Sequence, residues 1–304
     1  MREIAVGVDA GGTSTTAVVS RDGVVVGSAA ADAANASSLG VEAAAAAIAR
    51  AIGSALGTLT ADSIVVGAAG AGRDGATERI TAALRVHFPH AAIEVHDDAS
   101  IALWAGAPAG DGIALIAGTG SIAFAHVDGQ NYRSGGYGYL LGDEGSGYAL
   151  GVAAARALVR ALDGRAPRDP FVESIATALD IDDLAGALEV VYAGTHPVGK
   201  IAALAPLVVA AADGGDRLAG KIVQSAALEL ADLVKSVVRA AGIGDRELPL
   251  VFAGGGLQSN STLTFLLETR LSNEFPNLRI VKGAPAPHFG ALARAQRVLR
   301  EKVR

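Results

Sequence analysis

Two stretches of this chain carry the same pattern, and that duplication constrains the fold more than any other feature. The first begins with an apolar run from Ile4 to Asp9 and continues through Gly11-Gly12-Thr13, a β-branched run from Thr15 to Val19, an Asp22-Gly23 turn and Val24 to Val26. The second begins at Ile113 to Ile116 and continues through Gly118-Thr119-Gly120-Ser121, Ile122 to Ala125, an Asp128-Gly129 turn and Gln130 onward. Each copy reads as three antiparallel strands whose first turn is glycine-rich and whose second is an Asp-Gly hairpin.

The downstream parts correspond as well. After the first hairpin the pattern predicts a helix over 41–57, a strand from Ser63 to Val66, a helix over 74–86, a strand from Ala92 to Val95 and a helix opening at Asp98 or Ala99. After the second it predicts helices over 147–163, 170–179, 183–193, 197–213 and 216–241. A strand from Leu248 to Phe252, a helix over 260–272, a strand from Leu278 to Val281 and a last helix over 288–302 follow. Strands that alternate with helices imply parallel sheets covered on both faces. The expected architecture is therefore α/β, with two similar domains facing one another across a cleft. The first spans 1–109, and the second spans 110–287 with a helical insertion. They are joined through the Pro/Gly-rich stretch 106–112.

In open α/β sheets ligands bind beyond the carboxyl ends of the parallel strands, and the glycine clusters fall at such ends. At Gly11-Gly12-Thr13 and at Gly118-Thr119-Gly120 the missing Cβ atoms let backbone N–H groups approach an anion, and each threonine hydroxyl adds a donor. Either cluster alone reads equally well as a tight turn, but their matching positions point to a polyphosphate held from both domains. Gly254-Gly255-Gly256 follows a strand and leads toward a helix, where backbone can pass close to a base or ribose. Asp9 ends its strand directly before a phosphate turn. A carboxylate there is either an acid stabilising the turn or a partner for Mg²⁺, which bridges carboxylate and phosphate. Of Asp97-Asp98, one can cap the helix that follows while the other serves as the base of a phosphoryl transfer, although both could be caps. Asp143-Glu144 lies in the glycine-rich run 135–147, suited to hydrogen-bonding a polyol, whereas Asn35 is by composition an ordinary loop residue.

Composition removes several alternatives. Net charge is −6, with 25 Lys and Arg against 31 acids, so the long-range attraction that nucleic acid or an anionic membrane requires is missing. No run of about 20 apolar residues is present to span a bilayer. The first residues reach an acid at Glu3 without an apolar signal core, which gives a cytoplasmic protein as the expectation. The chain has no cysteine, which excludes thiolate metal sites, iron–sulfur clusters and cysteine nucleophiles.

Taken together, VGVDAGGTST (6–15), VHDDA (95–99), IAGTGS (116–121), GGYGYLLGDEGSGYALG (135–151), VFAGGG (251–256) and APHFGAL (286–292) resemble the N-acetylglucosamine kinase branch of the BadF/BadG/BcrA/BcrD ATPase family. That family lies within the sugar kinase, heat-shock protein and actin superfamily. The resemblance implies two ribonuclease-H-like domains of the actin-like ATPase fold around an ATP and sugar cleft, with the last helix, 288–304, packing back on the first domain. It implies that Asp9, Gly11, Gly12 and Thr13 serve the phosphates and Mg²⁺, that Thr119 and Gly120 form the second phosphate loop, and that Gly255 and Gly256 lie by the adenosine. Asp98 matches the family's catalytic base, and Asn35, Gly136 and Asp143 match its sugar-contacting positions. Asp97 stands where many members have Asn, and 67–70 lacks a serine found in some relatives.

The expected activity is ATP-dependent phosphorylation of N-acetylglucosamine at its 6-hydroxyl, by a homodimer. Glucosamine or N-acetylmuramic acid are the alternative acceptors, and a non-catalytic sugar and ATP sensor is the alternative of another kind. An activating ATPase for a radical dehydratase needs cysteines, and repressor-related sugar kinases usually carry a cysteine-rich zinc motif. This chain can supply neither.

Overall fold

The computed structural model describes residues 3–12, 14–72, 75–192 and 197–302. Two compact units are formed, Met1–Ala114 with Ala284–Arg304 and Leu115–Gly283. The first part of the chain runs β1 (Ile4–Ala10), β2 (Ser14–Arg21), β3 (Val24–Asp32), α1 (Ala36–Leu39), α2 (Val41–Leu56), β4 (Ser63–Ala68), α3 (Ala76–His87), β5 (Ala92–Asp97) and α4 (Asp98–Gly106). Then follow β6 (Gly112–Ala117), β7 (Ser121–Val127), β8 (Gln130–Gly135), α5 (Gly147–Leu162), α6 (Pro170–Leu179), α7 (Leu184–Tyr192), α8 (Val198–Ala202), α9 (Ala205–Asp213), α10 (Arg217–Ala241), β9 (Leu248–Ala253), α11 (Thr262–Glu274), β10 (Leu278–Val281) and α12 (Pro287–Lys302).

The duplication is written in the sheets. Their strand orders, β3-β2-β1-β4-β5 and β8-β7-β6-β9-β10, are the same sequence of roles. In the first sheet β1 pairs antiparallel with β2 and parallel with β4, and β4 pairs parallel with β5. Uncharged strands such as β4, buried along its whole length, need cover on both faces. One face is covered by α2 and α3, with Ile48, Ile52, Ile80 and Leu84 fully buried against Val6, Val8, Ile64 and Val66.

The other face is covered by α4 and α12, and glycines set how close they come. A Cβ on Gly7 would overlap the backbone of α12, one on Gly67 would overlap the Ile101 side chain, and one on Gly290 would overlap the α4 backbone at Ile101. These three positions let α4 and α12 lie almost directly on the strands, which fixes where α4 begins.

One expectation needs correction. The helix expected over 197–213 is two helices, α8 and α9. The chain turns at Ala203 and Leu204, and Pro206, within the first turn of α9, cannot donate the bond that a continuous helix would need there. The glycine run 254–256 passes through a single 3₁₀ turn, Gly255–Leu257, and the helix expected after it, α11, starts at Thr262 behind its Ser261 cap. Among the described residues no single helix is long and apolar enough to cross a membrane.

Candidate active site

In the first unit the parallel register carries the acids to one sheet end. Asp9 pairs with Gly67 and Gly67 with His96, one row before Ala68 and Asp97, and Asp98 opens α4 immediately beyond. Asp97 is the cap of α4, since its Oδ1 accepts from the Ser100 amide at 2.8 Å and from the Ser100 hydroxyl at 2.9 Å. That division of labour leaves Asp98 as the acid of the first helical turn. Burial, and behind it repulsion from Asp98, push the Asp9 carboxyl up from 3.8 to about 6.

Asn35 joins this group through backbone. The Ala34 amide donates to the Gly11 carbonyl at 3.1 Å, the Ala36 amide to Ala69 at 3.1 Å, and the Ala69 amide to Ala10 at 2.9 Å. These bonds tie the loop before α1 to the ends of β1 and β4, so that a Cβ on Gly12 would lie 3.8 Å from the Asn35 amide nitrogen. Composition gave no sign that Asn35 sits here, and only the family resemblance pointed to it, because the partners are backbone groups from three separate segments. Thr13 lies outside the described residues.

The raised Asp9 value carries a pH prediction for the metal-free protein. Between about pH 4 and pH 6 the native state binds the proton that the unfolded state has already released, so stability falls as pH rises through that window and stays reduced above it. Asp9→Asn removes the effect. Urea unfolding should find the variant more stable than the parent at pH 7, by up to roughly 3 kcal/mol, with the difference vanishing near pH 4.

In the second unit the glycine turn and the acidic loop, assigned separately from sequence, are in contact. The Asp143 carboxylate accepts from the Ser121 amide at 3.2 Å, and a Cβ on Gly120 would come within 2.7 Å of it. The Ser121 hydroxyl donates to the Glu144 carbonyl at 2.7 Å. Burial raises the Asp143 carboxyl, the Ser121 bond opposes this, and Glu144 adds repulsion. Asp143 takes a left-handed backbone, φ 59°, which short polar side chains tolerate best among residues other than glycine. Ser121 was not singled out from sequence, yet it ties the two segments together. Gly136, also left-handed, receives the Arg133 guanidinium on its carbonyl at 3.2 Å.

Beside this turn lies a cavity of about 590 Å³ formed entirely within the second unit. Gly118 and Thr119 line it at the turn, Gly255 and Gly256 at the end of β9, and α8 and α9 close it with small and apolar residues such as Ala202 and Pro206. The Gly147 amide, at the start of α5, donates to the Gly118 carbonyl at 2.8 Å. Cβ atoms on Gly118 or Gly255 would meet no protein atom within 4 Å, so packing does not demand glycine there. Open backbone along a cavity wall is what close approach of a ligand requires. The α8–α9 wall was invisible in the sequence, where its alanines read only as helix. Among the described residues no group of three or more His, Cys, Asp or Glu side chains is placed to hold a metal ion by itself.

The chain is similar to known proteins in sequence and in fold. The chain is 31% identical over 230 residues to the N-acetylmuramic acid/N-acetylglucosamine kinase of Clostridium acetobutylicum, covering 75% of each chain. It is 33% identical over 201 residues to the N-acetyl-D-glucosamine kinase of Dictyostelium discoideum, a match that takes in 65% of this chain and spans 63% of that kinase's length. A solved structure from Chromobacterium violaceum, provisionally assigned as an N-acetylglucosamine kinase, superposes with a TM-score of 0.75 at 26% identity and covers 95% of this chain and 98% of its own. With residues 6–295 matching it, this chain belongs to the BadF/BadG/BcrA/BcrD ATPase family.

Proposed function

We propose that this chain transfers the γ-phosphoryl group of ATP to N-acetylglucosamine at its 6-hydroxyl. The observation that carries the reading is the acid pair, a half-buried Asp9 raised to about 6 beside Asp98 at the start of α4. Its setting is a family of ATPases whose relatives here are named kinases of N-acetylglucosamine and N-acetylmuramic acid.

Asp98 accepts the proton of the sugar hydroxyl as its oxygen attacks the γ-phosphorus. Asp9 would hold Mg²⁺, and the fit is chemical: a desolvated carboxylate under like-charge repulsion would be relieved by a divalent cation. When bound, the ion neutralises charge on the phosphates. Gly11, Gly12 and Thr13, and likewise Thr119 and Gly120, are assigned to the phosphates, and Gly255 and Gly256 to the adenosine. Asn35, Gly136 and Asp143 hold the sugar. Positioning and fixed dipoles supply most of the rate in this chemistry.

The test is a coupled ADP-release assay on the full chain with N-acetylglucosamine, glucosamine, N-acetylmuramic acid and glucose. The expected result is the highest kcat/KM with N-acetylglucosamine and loss of turnover on chelation of Mg²⁺. Absence of sugar-dependent ADP release would overturn the reading in favour of a sensor. The same family resemblance gives a homodimer, which sedimentation checks.

A further inference from the structure

The cavity of the second unit carries a polar group that none of these roles uses. The α9 helix forms one of its walls, and the first residue of α9, Ala205, stands at the phosphate turn: a Cβ on Gly147 would meet the Ala205 side chain at 3.5 Å and the Gly118 carbonyl at 2.9 Å. The last residue of α9, Asp213, also lines the cavity and lies eight residues further on, about 12 Å along the wall at 1.5 Å per residue. Pro206, Val209 and Ala210 line the stretch between. One end is thus built of the open backbone of the glycine turn and a threonine, the middle is apolar, and the other end carries a carboxylate. That is the polarity sequence of phosphate, sugar-and-ring and base edge along a nucleotide.

Asp213 is held in place. Its Oδ1 accepts from the Thr262 amide at the start of α11 at 2.7 Å, and the residue lines the cavity. Asp213 is exposed, so an incoming donor exchanges with water. We infer that Asp213 reads the base, accepting a hydrogen bond from the exocyclic 6-amino group of adenine and so selecting 6-amino over 6-oxo purine nucleotides. The reason is the acceptor-only chemistry of a carboxylate: it pairs with an amino group and sets two acceptors against each other when the ring carries an oxo group. The assignment rests on the nucleotide occupying this cavity as in the kinase reading above.

The experiment is calorimetric titration of the full chain, and of Asp213→Asn, with ADP and with IDP in the presence of Mg²⁺, alongside sugar-dependent turnover. The parent should bind ADP at least about 10-fold more tightly than IDP, the range expected for a hydrogen bond to a charged group. Asn keeps an oxygen for the Thr262 amide and offers an N–H₂ to the base, so in the variant the preference should collapse or invert. Equal affinities in the parent, or an unchanged ratio in the variant, overturn the inference, and the parent comparison decides even where the variant fails to fold. Absent turnover in a parent that still prefers ADP would overturn the kinase reading and leave this assignment standing.

Discussion

Asp98→Asn is expected to abolish sugar-dependent ADP release, lowering kcat by about 10² to 10⁴, while ATP still binds. The size follows from the role, since an amide cannot accept the hydroxyl proton in the transition state. The clean reading follows from the structure. The cap of α4 is Asp97, through its two bonds to Ser100, so replacing Asp98 leaves the helix start intact. Asp97→Asn is the matching control. Asn caps a helix about as well as Asp, so this change should leave the fold unaltered. Single-turnover measurements with saturating ATP and N-acetylglucosamine separate chemistry from binding, and near-normal turnover in Asp98→Asn would remove it from the role of base.

Gly290→Ala should be among the most destabilising single-methyl additions in the chain. The new Cβ would fall within the backbone of α4 at Ile101 and Ala105, where no side chain can swing aside. Overpacking of this kind costs about 1–3 kcal/mol or more, and a shift of roughly 5–10 °C in the melting temperature is expected for a unit of this size. Activity should fall as well at temperatures where the variant is folded. The α4 helix begins at Asp98, and any outward movement of α4 carries that carboxylate away from Asp9. A Gly290→Ala protein with parental melting and parental kcat would show that α4 and α12 can part without consequence. Gly220 in α10, where a Cβ would meet nothing within 4 Å, offers a neutral comparison on another helix.

Much of this was legible in the sequence because its signals are local. The strand–glycine turn–strand pattern at Gly11 and Gly118 depends on neighbouring residues, and so does the capping position of Asp97. Most elements recur within a residue or two of where periodicity puts them, although β3 runs on to Asp32 and the short α1 was not expected. What could not be read depends on contacts between distant segments. The partners that tie the loop around Asn35 to the site are the carbonyls of Gly11 and Ala69. Asp143 meets Gly120 only because Ser121 stands between them. The α8–α9 break turned on two residues in an alanine-rich run whose composition favours helix throughout.

The Asp143 carboxylate belongs to two loops at once. It accepts from the Ser121 amide and lies against Gly120, while its own backbone sits in the run that carries Gly136. A ligand that turns this carboxylate must also shift the amide of Ser121, and a ligand that tightens the Gly118–Gly120 turn must set the carboxylate. Energetic coupling of that kind runs equally in both directions. Under the roles proposed above, this one side chain couples the affinity for the sugar to the affinity for the nucleotide.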